Sequence, residues 1–296
     1  MALVCGSAVH PMETRAATIA VLAASDVEAY RQAIDGLKSG MHDPSTAIRV
    51  FPLENKGGKP GIPAAFAKEP RTVVVAMGSE ARRALSEAPV SSPVVYTMAL
   101  RSDAAQAGPL QQKTVATITL DVPVEALAAR LKEIFPGKVR LGIIRQTEWA
   151  GPSSARLQAD ARQCGLAATV AECRKAEDLQ RVFLSLKDKV DFVWCLPDSS
   201  LYNGTSVQAL LIASLNNRIP VVGFSASFVR AGALFGMYPD FRAVGGQTAE
   251  VIQNYLADRP VANEAAPRTF EVAVNQRVAR LLGLQPAVSK EVMVFR

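Results

Sequence analysis

"VWCLPDSSLYNG", Val193–Gly204, changes character halfway along. It opens with apolar residues, the mark of a strand buried on both faces. Pro197, Asp198, Ser199 and Ser200 then arrive together, and a helical pattern begins near Asn203. A buried strand, a polar turn and a helix make up the repeating unit of a parallel α/β sheet. The carboxylate and two hydroxyls at the strand's exit are either loop chemistry or a binding site.

The unit recurs along the chain. Apolar runs stand at "ATIAVLAA" (17–24), "AIRVFPL" (47–53), "TVVVAM" (72–77), "PVVYTMA" (93–99) and "TVATITL" (114–120). They continue at "VRLGII" (139–144), "LAATVAE" (166–172), "VDFVWCL" (190–196), "IPVVGF" (219–224), "ALFGMY" (233–238) and "TFEVAVN" (269–275). Helical patterns lie between them at 26–38, 79–87, 123–134, 153–164, 176–187, 203–216 and 242–257. In the helix after Asn203, Val207, Leu210, Leu211 and Leu215 share one face. Eleven strands exceed what one twisted open sheet of at most roughly 10 strands holds comfortably. The fold class is therefore α/β with two doubly wound parallel-sheet lobes, the seam falling near Leu120–Pro123. "LENKGGKPGIPAAF" (53–66) is the one Gly/Pro-rich loop of note; Pro60 follows its Lys, so it is a surface loop rather than a phosphate loop.

Composition narrows the function. The 296 residues are 49% hydrophobic and only 6% aromatic. Net charge is +6, with basic residues scattered singly or in pairs, so no nucleic-acid surface is expected. The two histidines, His10 and His42, leave little material for a catalytic base or a transition-metal site. No nucleophile elbow, dinucleotide fingerprint or metal-ligand spacing occurs. We therefore expect no enzyme, no catalytic residues, no cofactor and no metal. Of the four cysteines, Cys195 reads as a small core residue, while Cys164 and Cys173 are either buried thiols or, in an oxidising compartment, a pair. The segment 1–16 has no charged n-region, yet Gly6-Ser7-Ala8 resembles a signal cleavage site; a signal remnant and a plain tail both fit. No run of 18 apolar residues is present.

In open parallel sheets, ligands bind beyond the carboxyl ends of the strands. Read there, the sequence offers Ser79 at a helix start, Thr97 after "PVVY", and Gln146, Thr147 and Trp149 after "VRLGII". It further offers Asp198 after "VWCLP", and Ser225 and Ser227 after "IPVVGF". A helix N-terminus suits a carboxylate and an aspartate suits an ammonium group, which together describe an α-amino acid. For each residue a plain role competes: Ser79 as a helix cap, Trp149 as packing, the serines as caps.

"DFVWCLPDSS…ALLIASLNNRIPVVGFSASFVRAGALFGMYPDFRAVGGQTAEVIQNYLADRP" resembles the tail of the TrpX-like family of ABC-transporter substrate-binding proteins. "TFEVAVNQRVARLLGL" (269–284) is similar to that family's closing strand and helix, and "VVVAMGSEARRAL…SPVVYTMA" to its first-lobe segment, with Ser79 where Thr is usual. The resemblance implies a type I periplasmic-binding-protein fold with three hinge crossings, near 121, 228 and 266. The lobes would be 17–120 plus 229–265 and 121–228 plus 266–296. It implies that Ser79 and Thr97 hold a ligand carboxylate and Asp198 an ammonium group. It also implies an extracytoplasmic, periplasmic monomer that captures a small molecule by hinge closure and docks on a membrane permease. The alternative is a sensing protein that hands the bound state to a receptor or kinase. The first 70 residues and "RQTEW" (145–149) depart from the family's pattern. A regulator on this fold would carry a helix-turn-helix before the first strand, and residues 1–16 show no such pattern.

Overall fold

The computed structural model describes residues 17–23, 28–56, 59–100, 113–149, 151–198 and 200–295. The segment 1–16, with its signal-or-tail alternatives, and Ser199 lie outside them. The chain enters through β1 (Thr18–Ala23), α1 (Glu28–Gly40) and β2 (Ala47–Pro52). The Gly/Pro-rich segment forms a small hairpin, β3 (Glu54–Lys56) with β4 (Lys59–Gly61), and a single-turn helix α2 (Ala64–Lys68). β5 (Val73–Met77), α3 (Gly78–Glu87), β6 (Val94–Ala99) and β7 (Thr114–Thr119) follow.

The second half runs α4 (Val124–Ile134), β8 (Arg140–Gln146), α5 (Ser154–Gln163), β9 (Ala167–Cys173), α6 (Leu179–Leu184), β10 (Phe192–Cys195), α7 (Gly204–Asn217), β11 (Val221–Gly223), α8 (Ala226–Ala231) and β12 (Phe235–Pro239). The chain closes with α9 (Phe241–Leu256), β13 (Glu264–Ala265), β14 (Phe270–Asn275), α10 (Gln276–Leu282) and β15 (Met293–Phe295).

Two sheets result. The first has the order β13-β7-β6-β5-β1-β2 and is parallel throughout. The second has the order β15-β14-β12-β11-β10-β8-β9, parallel except where β14 runs against β12. Unbroken apolar runs form these strands because both faces are covered. In the first sheet Ile19, Val21, Val73 and Val75 pack with residues of α1 and α9. The alternate residues Ala20, Leu22, Val74 and Ala76 pack with Phe66, Leu85 and Tyr96 on the other face. The second sheet does the same, with Leu141, Ile143 and Trp194 on one face and Ile144, Val193 and Cys195 on the other.

The chain passes between the sheets three times, at Leu120–Pro123, at Pro239–Phe241 and between Ala265 and Phe270. The second passage corrects the expected crossing near 228 and the placing of 229–239 in the first lobe. β12 pairs in parallel with β11 through Val222↔Phe235 and Gly223↔Gly236, so this stretch stays in the second sheet. The reason is local. The six-residue α8 returns the chain to the next strand position, and only after Pro239 does Asp240 cap α9 through Ala243 N–H (3.0 Å). Asp240 N–H also donates to Thr269 O (3.0 Å), tying the second passage to the third.

α9 returns to the first sheet and docks on α1 at backbone contact. A Cβ on Gly36 would lie 1.9 Å from Arg242 O, and one on Gly245 1.9 Å from Ala33 O. Cys164, Cys173 and Cys195 are free thiols, so the pairing of Cys164 with Cys173 is not made. Among the described residues no helix is long and apolar enough to cross a membrane.

Candidate ligand-binding cleft

A cavity of ≈ 270 Å³ lies where the two sheets meet, lined by Leu100, Leu120, Pro197, Asp198, Tyr202, Phe224, Pro239 and Phe241. Leu100 and Leu120 directly follow β6 and β7 of the first sheet; Pro197 and Asp198 follow β10, and Phe224 follows β11. Five wall residues thus stand one to three places past a strand's carboxyl end, from both sheets. That is where open α/β sheets leave room for ligands, because helices cover the faces and only the strand ends stay open.

Asp198 supplies the acidic side chain of this wall and is only 7% exposed. Its Oδ1 accepts from Ser200 N (2.8 Å), Ser200 Oγ (2.5 Å) and Leu201 N (3.2 Å). Tyr202 N–H bonds back to Asp198 O (3.0 Å), and Asn203 then caps α7 in a reciprocal box with Ser206. One carboxylate oxygen therefore builds the turn. Among the described residues Oδ2 has no hydrogen bond. Tyr202, Phe224 and Phe228 form an edge-packed aromatic cluster with centroids 5.1–6.2 Å apart. The Tyr202 hydroxyl is buried, with the Cys195 thiol as its polar neighbour. Burial, then the neighbouring thiol, raises the Tyr202 phenol well above its ordinary range; burial pushes Cys195 up to about 12. Both stay neutral.

The other anticipated residues divide. Ser79 lies in the first turn of α3 and is not its cap: the helix begins at Gly78, and Met77 holds the cap position without a side-chain bond. The turn depends on glycine, since Gly78 has φ +83° and a Cβ there would meet Tyr30 Oη at 2.0 Å. Thr97 is fully buried, with its hydroxyl 2.9 Å from that of Thr248 on α9, so it binds the returning helix and does not reach the cleft. The backbone turns at the next residue instead, where Met98 has φ 56° and the β6–β7 register slips.

Gln146 Oε1 accepts from Glu148 N–H, and Thr147 N–H donates to Cys173 O (3.1 Å); both shape the loop after β8. Ser225 caps α8 through Phe228 N–H (3.1 Å), and Ser227 Oγ lies 3.0 Å from Ser225 Oγ. Neither serine lines the cleft cavity. Trp149 is buried in a different cavity of ≈ 240 Å³, against the α4 start and α5. Leu100, Leu120, Tyr202, Phe224, Pro239 and Phe241 are wall residues that the sequence reading missed. Being apolar, they look in sequence like any core residue; only their distance past a strand end marks them.

The sequence matches the family described as "ABC transporter substrate binding protein" over residues 18–292. The chain belongs to this family. A conserved domain protein from Vibrio cholerae O1 biovar El Tor is similar in fold, with a TM-score of 0.62, 20% identity and 95% of this chain matched to 100% of that one. The ABC domain from Streptococcus pneumoniae in complex with L-Trp gives 0.60 at 16% identity, again 95% against 100%. The ligand-free, open form of a substrate-binding protein with adhesive properties from Clostridium difficile gives 0.66 at 17% identity, 95% against 99%. No curated protein matches the sequence. Like other substrate-binding proteins, the chain pairs two parallel-dominated α/β sheets in the type I periplasmic-binding arrangement.

Proposed function

We propose that this family member is the extracytoplasmic receptor of an importer and captures a small molecule carrying an ammonium group beside an apolar body, an α-amino acid with an apolar or aromatic side chain. The supporting observation is the cleft wall: Asp198 stands with one carboxylate oxygen uncommitted among Leu100, Leu120, Tyr202, Phe224 and Phe241. A charge-assisted bond to that oxygen would orient the ammonium, and the surrounding rings would take the side chain. The start of α3, where the N-cap residue Met77 makes no side-chain bond and Ser79 lies in the first turn at the carboxyl end of β5, has N–H groups of the sign a carboxylate needs. The L-Trp complex of the Streptococcus pneumoniae relative agrees with an amino-acid ligand. Because the wall draws on both sheets, rotation about the three passages would open and close it, and the closed form would dock on a permease.

Thermal unfolding of refolded, ligand-stripped protein with each of the twenty amino acids tests this. A ligand at ~100 times its dissociation constant adds about 2.7 kcal/mol, several degrees for a chain of this length. A rise with apolar or aromatic amino acids is expected. No rise with any amino acid would reject the reading.

A further inference from the structure

The ≈ 240 Å³ cavity beside the cleft is walled by both of the chain's tryptophans, Trp149 and Trp194, with Leu157 and Met237. We propose that it is a second small-molecule site, for a flat apolar molecule bearing a positive charge. It is distinct from the cleft. The two cavities share only Pro197 and Phe224, and the consecutive residues Leu120 and Asp121 of the first passage go to different ones.

Size, surface and charge specify the occupant. An apolar cavity of ~150 Å³ accommodates benzene, so this one has space for a ring with a short chain. Asp121, Glu125 and Asp160 are among the lining residues, which include no lysine, arginine or histidine among the described residues. Asp160 is 8% exposed; its Oδ2 accepts from Arg156 Nε (2.9 Å), while Oδ1 is buried with no hydrogen bond, although Nε lies 2.8 Å away. Arg156 Nε stands within 2.9 Å of both oxygens, but its side chain is 68% exposed, so water screens the charge it offers. An ammonium group entering the cavity would add a second positive partner, shielded from water, to that carboxylate, and indole faces attract cations. Arg145, over the Trp149 ring at 5.7 Å, is committed to Trp149 O, Ser154 and Glu172.

Phenethylamine, phenylacetate and toluene would be titrated by calorimetry and tryptophan fluorescence into Asp198→Asn protein, which removes the cleft's charge. Phenethylamine is expected to bind and perturb the fluorescence, with toluene weaker and phenylacetate weakest. Asp160→Asn in the same background is expected to weaken phenethylamine at least tenfold. Glu125→Gln, at an exposed position, is expected to weaken it less and guards against misfolding of the first variant. Absence of phenethylamine binding in the Asp198→Asn protein, equal binding of phenylacetate, or indifference to both Asp160→Asn and Glu125→Gln would overturn the proposal. None of these outcomes bears on the amino-acid reading of the cleft, which the unfolding screen judges.

Discussion

Replacing Asp198 by Asn separates the two tasks of this side chain. Asp198 Oδ1 holds the turn through Ser200 N, Ser200 Oγ and Leu201 N, and Leu201 is fully buried. Asparagine keeps an acceptor at that position, so the turn survives and stability should fall by no more than about 1 kcal/mol. Alanine would strand the Leu201 N–H and cost about 1–3 kcal/mol in folding, confusing the result. What asparagine removes is the charge. A hydrogen bond to a charged group is worth about 1.5–3 kcal/mol, against about 0.5–1.5 for a neutral one. An ammonium ligand that uses Oδ2 should therefore lose about 1–2 kcal/mol, roughly 5- to 30-fold in Kd. Calorimetric titration of the amino acid selected by the unfolding screen would measure this, beside urea unfolding of both proteins. Unchanged Kd with unchanged stability would refute the reasoning and leave Asp198 as a turn residue only.

Other outcomes follow from the packing. Gly245→Ala should destabilise the protein by about 1–3 kcal/mol despite alanine's better helix propensity, because the new methyl meets Ala33 O. Gly246→Ala, with nothing within 4 Å, should be neutral or stabilising by up to ~1 kcal/mol; equal urea midpoints for the two variants would contradict the close α1–α9 contact. Asn275 Oδ1 caps α10 through Val278 N–H (3.0 Å) and its Nδ2 bonds the buried Val229 O (2.9 Å). Asn275→Ala should accordingly cost about 2–4 kcal/mol by urea unfolding, and a loss under 1 would show that the cap is dispensable. Burial raises Cys195 to about 12, and burial with Glu271 raises Tyr238 to about 12, above unfolded values near 8.5 and 10. A raised acid contributes stability that is complete below its unfolded pKa and lost as pH rises toward the folded one. Unfolding free energy should hence decline between pH 8.5 and 12, and a flat profile would contradict their burial.

The sequence by itself determined the class of fold. Runs such as "VVVAM" and "VWCL" are apolar at every position because helices cover both faces of their sheets, and that burial is written in consecutive residues. It also pointed to Asp198, which the fold places on a cavity wall, since a polar cluster at the end of such a run is a local signal. What only the tertiary structure decided depends on contacts distant in the chain. "ALFGMY" has the composition of a strand from either sheet, and its pairing with β11 placed it in the second. Thr97 stands at a strand end like Asp198, yet α9, about 150 residues later, covers it and takes its hydroxyl. Ser225 satisfies helix-cap and ligand patterns equally until Phe228 N–H is seen to take its oxygen. The apolar cleft wall and the tryptophan cavity carry little local mark beyond the nearness of some residues to a strand end. A leucine or tryptophan beside a strand end reads the same whether it meets another side chain or open space, and only the assembled fold distinguishes the two.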